Sequence, residues 1–185
     1  ASLWRMMLAP ARPGQFRPAL SLPAAWPARR IAVRLRPAEA AYLMLDFGRE
    51  TLAAPELHAR GPAGTILDLG YSECLWNNRV ATQWQSPTLC QCDRIILGQG
   101  PTRHRVNQPR GMRYMMLRLA NPSRSAATVS LEGLEAHEAI YPAKPLGRFR
   151  CSEELLNRAF EISARTVNLC MEDAYTDCPW RERAQ

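Results

Sequence analysis

The sequence predicts a mainly β fold, an antiparallel β-sandwich, giving way to a helical segment near its C-terminus. Three observations carry this. Short apolar runs alternate with period two from about residue 31 to 141. Turn residues separate these runs at hairpin spacing, and no helical stretch lies between them. From residue 151 the apolar spacing changes to three- and four-residue steps, the signature of an amphipathic helix.

The first 30 residues read as a Pro/Arg-rich leader with little regular structure. Pro10, Pro13, Pro18, Pro23 and Pro27 remove amide donors and disfavour helix at the residues before them. The sandwich is placed at 31–141. In 31-IAVRLR-36, Ile31, Val33 and Leu35 share one face, and Arg34 and Arg36 the other. Similar runs follow at 41-AYLMLDF-47, 65-TILDLGY-71, 93-DRIIL-97, 113-RYMMLRL-119 and 127-ATVSLEGLEAHEAIY-141. Gly61-Pro62, Gly64, Gly98, Gly100-Pro101, Pro109-Arg110-Gly111 and Asn121-Pro122-Ser123 supply the turns. Residues 142–150, with Pro142, Pro145 and Gly147, form a linker. The helix is placed at 152–170, with Ser152 as its cap and Glu153 and Glu154 facing its positive end.

Charge narrows the function. The chain has 185 residues and a net charge of +7. Residues 1–38 hold seven Arg and no acid, whereas 39–185 hold 17 basic and 17 acidic residues. The excess belongs to the leader, and the fold behind it is neutral. A nucleic-acid partner, which needs a basic fold, is therefore not expected. No apolar run approaches the ~20 residues of a membrane helix, so no membrane partner is expected either. Arg12 and Arg17 interrupt the apolar residues near the start, so no signal peptide is visible and a cytoplasmic location is favoured. The chain does not begin with Met, and the start is read as processed or truncated.

Six cysteines (74, 90, 92, 151, 170 and 178) show no Cys-x-x-Cys spacing, and His58, His104 and His137 lie far from them in sequence. The expectation is reduced, buried thiols, with no metal site.

The chemistry concentrates in 171-MEDAYTDCPWRERAQ-185. One reading is structural: Asp177 caps a new helix, Pro179 sits in its first turn, Glu182 offsets its dipole, and Arg181 and Arg183 are solvated. The other is a sugar site. Asp177 would accept two sugar hydroxyls, Arg181 would donate a fixed fork, and Trp180 would offer a face to a pyranose ring. Glu182, against apolar and aromatic walls, would stay protonated and serve as a general acid.

The run 177-DCPWRERAQ-185, preceded by 151-CSEELLNRAFEIS-163 and Cys170-Met171, resembles the bacterial α-L-rhamnosidase family. The segments 45-LDFGRE-50, 64-GTILDLGYSE-73 and 110-RGMRYMMLRL-119 are similar to the sandwich that precedes that family's catalytic barrel. Tyr141-Pro142 and Gly147-Arg148-Phe149 fit the approach to the helical domain, so the resemblance spans about residues 26 to 185 in order.

The resemblance implies a β-sandwich followed by an (α/α)6 barrel, of which residues 151–185 would be the start. It implies inverting hydrolysis of terminal α-L-rhamnose from rhamnose-containing glycosides, with no metal or redox cofactor. Asp177 and Arg181 would bind rhamnose hydroxyls, and Glu182 would be the general acid. Inversion needs a second carboxylate ~6.5–9.5 Å from the first, which the family carries far downstream. Residues 151–185 number only 35, too few for about twelve helices, so the chain is read as a fragment that is inactive alone. Two other readings follow. In one, the sandwich is a non-catalytic carbohydrate-binding module, with Trp4, Trp26, Trp76, Trp84 and Trp180 as stacking candidates. In the other, the uncovered apolar face of 152–170 joins two copies of the chain.

Overall fold

The structure, a computed structural model, describes residues 16–21, 30–77, 79–82, 91–172 and 174–179. These form β1 (Phe16–Ser21), β2 (Ile31–Leu35), β3 (Ala40–Arg60), β4 (Ile66–Ser72), β5 (Leu75–Trp76), β6 (Arg79–Val80), β7 (Cys92–Ile96), β8 (Pro101–Arg105), β9 (Arg110–Ala120), β10 (Ala127–Glu138) and one helix, α1 (Glu154–Leu169). Mainly β with a C-terminal helix is what the period change predicts. Among the described residues no helix is long and apolar enough to cross a membrane.

The main sheet runs β2-β10-β3-β9-β4-β7, with β1 and β8 added along β3. β3 is the spine. Its first half pairs with β1 and β9, and its second half with β10 and β8. Between the halves the register slips from Asp46 to Thr51. Gly48 sits there at φ +76, which only glycine adopts without strain, and its amide donates to Asp46 Oδ1 at 2.7 Å.

The slip lets the sheet fold over itself. β7 and β10 are separated by three strands in the sheet order, yet Leu97, just after β7, and Val129 of β10 meet around Gly61. A Cβ on Gly61 would lie 3.0 Å from Leu97 Cδ1 and 3.6 Å from Val129 Cγ2, so the closure is tight there and a larger residue would make Leu97 give way. The alternating apolar faces point inward to one core that includes Leu35, Leu43, Leu57, Leu69, Tyr71, Met115, Leu117 and Leu131. Each such leucine contributes about 1.5–3 kcal/mol by leaving water.

Several elements differ from expectation. β1 falls in the segment read as irregular and pairs with β3 in parallel, although the other main ladders are antiparallel. Pro18 is accommodated because, among the described residues, β1 pairs with β3 alone and its register is irregular between Arg17 and Leu20. β3 continues to Arg60, past Pro55, and β8 adds a further strand. The helix begins one residue late: Glu153, not Ser152, is its cap, because the Glu153 carboxylate accepts from the Leu155 amide at 3.2 Å. Only Cys92 is buried among the described cysteines; Cys74, Cys151, Cys170 and Cys178 are half-buried. All are free thiols, and Cys90 lies outside the described residues.

Candidate active site

The candidate site is built on the C-terminal end of α1. The helix is locked at its start by Asn157, whose side chain accepts from the Cys151 amide and donates to the Cys151 carbonyl, both at 2.9 Å. Phe149 packs on Phe160, with ring centroids 5.5 Å apart. The helix ends at Cys170, and the chain then doubles back. Met171 pairs with Tyr175, and the Thr176 amide donates to the Cys170 carbonyl at 2.9 Å. The Tyr141 amide donates to the Met171 carbonyl at 2.9 Å, fastening this loop to the chain that leaves β10.

Asp177 follows, exposed, at the lip of the doubled loop. The doubled loop carries a cleft of about 270 Å³, lined by Tyr141, Met171, Glu172, Ala174 and Tyr175. Arg181, Glu182 and Trp180 lie outside the described residues, as do Trp4, Trp26 and Trp84. The alternative in which Asp177 caps a new helix depends on the same residues. Trp76 stands exposed on the rim, in β5.

The sandwich reaches this site through side chains that sequence reading did not single out. Arg165, on α1, donates from Nε and Nη2 to the Glu50 carbonyl at 3.1 and 2.8 Å. Its Nη2 also meets Glu138 Oε1 at 3.1 Å, which in turn accepts from Thr51 Oγ1 at 3.0 Å. Burial first, and the charge of Glu73 second, push the Glu50 carboxyl up to about 8, while Arg165 pulls the other way. Burial and the negative fields of Cys178, Asp177 and Glu73 likewise raise the Cys170 thiol. Glu73 therefore acts on both sides of the seam, on the Glu50 carboxyl and on the Cys170 thiol. Glu50 and Glu73 close the segments 45-LDFGRE-50 and 64-GTILDLGYSE-73 that carry the resemblance, but their electrostatic part arises only when α1 folds back on β3.

The comparisons divide the chain at the same seam. Residues 36–137 match the family described as the bacterial α-L-rhamnosidase concanavalin-like domain. Residues 144–185 match the bacterial α-L-rhamnosidase six-hairpin glycosidase domain. No curated protein sequence matches the chain. Among solved structures, a GH78 family rhamnosidase of Bacillus sp. GL1 is 30% identical with a TM-score of 0.75, over 86% of this chain and 16% of that one. A rhamnosidase from Klebsiella oxytoca with rhamnose bound is 17% identical with a TM-score of 0.59, over 82% of this chain and 31% of that one. The α-L-rhamnosidase from Dictyoglumus thermophilum is 20% identical with a TM-score of 0.57, over 82% and 17%. These last two are similar in fold. The chain thus spans a small part of the proteins it resembles. With more than half of its residues matched by the concanavalin-like domain and its C-terminal part by the glycosidase domain, the chain belongs to the bacterial α-L-rhamnosidase family.

Proposed function

We propose that this chain is the front portion of an inverting glycoside hydrolase that releases terminal α-L-rhamnose from rhamnose-containing glycosides. The observation that carries this reading is the placement of 177-DCPWRE-182 inside the glycosidase-domain match, directly after a sandwich-domain match in the same chain. Residues 31–141 are the sandwich, 142–150 the linker and 151–185 the start of the barrel. Asp177 and Arg181 bind sugar hydroxyls, the first as a bidentate acceptor and the second as a fixed donor fork. Glu182 protonates the leaving oxygen.

The second carboxylate, needed to activate water on the opposite sugar face, lies outside these 185 residues, so the isolated chain has no turnover. The test is release of p-nitrophenol from its α-L-rhamnoside. The chain alone should give none. A longer form carrying the downstream carboxylate should turn over and lose about 10²–10⁴-fold in the Glu182→Gln variant. Turnover by the isolated chain that vanishes in the same variant would overturn the claim that the site is incomplete.

A second reading is favoured by Tyr141 and Tyr175, both largely exposed at the cleft. A pair of exposed aromatic rings beside a carboxylate suits a bound sugar without catalysis. Calorimetric titration with rhamnose separates the two, because a binding module gives heat and saturates whether or not the barrel is present.

A further inference from the structure

On the opposite flank, three paired strands bring together charged groups that the proposed glycosidase site does not use. Glu56 of β3 lies directly across from Glu135 of β10 and from Arg105 of β8. Two carboxylates facing each other across strands repel, and Arg105 is the cation that now meets Glu56. His137, two residues on from Glu135, points to the same face. Its Nε2 lies 3.5 Å from Glu56 Oε2 and 3.4 Å from Glu135 Oε2.

We propose that Glu56, Glu135 and His137 form a binding site for a zinc-class divalent cation, with Arg105 as the competing occupant. The two edges from His137 match those of a metal site. Tetrahedral zinc at 2.0–2.2 Å from N and O ligands places those ligands about 3.3–3.5 Å from one another. One ligand atom from each of the three residues lies within 4.8 Å of the others. A triangle with edges of 3.4, 3.5 and at most 4.8 Å has a centre no more than about 2.4 Å from each corner, within reach of such bonds.

His137 Nε2 sits between partners of opposite demand. The two carboxylate oxygens favour a proton on His137 Nε2, while Arg105 Nη2, 3.2 Å away, can only donate and favours a lone pair there. A metal accepts lone pairs from all three at once. Arg105, whose Nε also donates to Glu56 Oε2 at 2.8 Å, is half exposed and can swing into solvent. The other oxygen of Glu56 is held by Arg103 and by His58 Nε2 at 3.0 Å, the outer-shell support that orients a ligating carboxylate. A solvent molecule would take the fourth position.

The test is a titration of the ¹⁵N-labelled chain with zinc chloride, reading the imidazole nitrogens. His137 Nε2 should shift and saturate, and His104 should not. Glu135→Gln should demand about tenfold more zinc. Arg105→Gln should demand less, because it removes the competitor. The proposal is overturned if His137 does not move with zinc in excess over the six cysteine thiols, or if His104 moves as far. It is equally overturned if Arg105→Gln binds no tighter than the native chain.

Discussion

Arg165 of α1 and Glu50 of β3 form the principal polar joint between helix and sandwich, two guanidinium N–H groups converging on one carbonyl oxygen at 3.1 and 2.8 Å. The helix buries little else: Leu169 is its single buried side chain. Arg165→Ala should therefore free the helix without unfolding the sheet. The loss is about 1.5–3 kcal/mol, the range for hydrogen bonds to a charged group. Hydrogen exchange reads it directly, with faster amides at 155–169 and unchanged amides at Leu117 and Val129. Arg165→Lys should restore only part, because lysine has no fork.

The raised Glu50 carboxyl makes stability depend on pH. Its folded value of about 8 exceeds the unfolded 4.5, so between these values the folded chain holds a proton that the unfolded chain has released. The stabilisation is whole below about 4.5 and is lost as pH rises to about 8. Urea melts of Glu50→Gln should show a flatter pH profile, with the variant above the native chain near pH 9. A native profile that rises through this window would exclude the assignment.

Asp68 is fully buried in β4, with Arg94 of β7 bonding both its oxygens at 2.6 and 2.9 Å and Arg118 of β9 at 2.9 Å. All three share one row of the sheet, since Asp68 registers with both arginines. Asp68→Asn leaves two guanidinium groups without their anion and should cost about 3–5 kcal/mol. The midpoint of chemical unfolding would show it.

The apolar face of α1 behaves oppositely. Leu155 is 72% exposed and Ile162 62%. Leu155→Gln with Ile162→Gln should change stability by less than about 0.5 kcal/mol for each substitution. If this face joins two chains, the double variant should sediment as a monomer at concentrations where the native chain does not.

The sheet was legible in the sequence wherever one face is wet. Ile31, Val33 and Leu35 alternate with Arg34, and the burial of β2 follows that alternation. The second half of β3 was hidden because its residues Leu52, Ala53, Pro55, Glu56 and Leu57 are buried on both faces, so period two disappears. Pro55 further disguises it, and its carbonyl accepts from Val106 at 2.8 Å. At the candidate site, Asp177 stood out by its motif. Glu50 lies inside the quoted run 45-LDFGRE-50, but its raised carboxyl could not be read there, since a carboxylate becomes unusual only through what folds over it. The same holds for Glu56, Glu135 and His137, up to 81 residues apart in sequence and joined only by strand register.

The pairing of β2 with β10 sets the order in which a ribosome can deliver this sandwich. Val33 registers with Val129, 96 residues later. At about 5–20 residues per second, β2 and the second half of β3 wait roughly 5–20 s for their shared partner to emerge. Throughout that interval the row of Val33, Leu35 and Leu57 lacks its β10 partner, so the core can close only after the β10 segment has emerged.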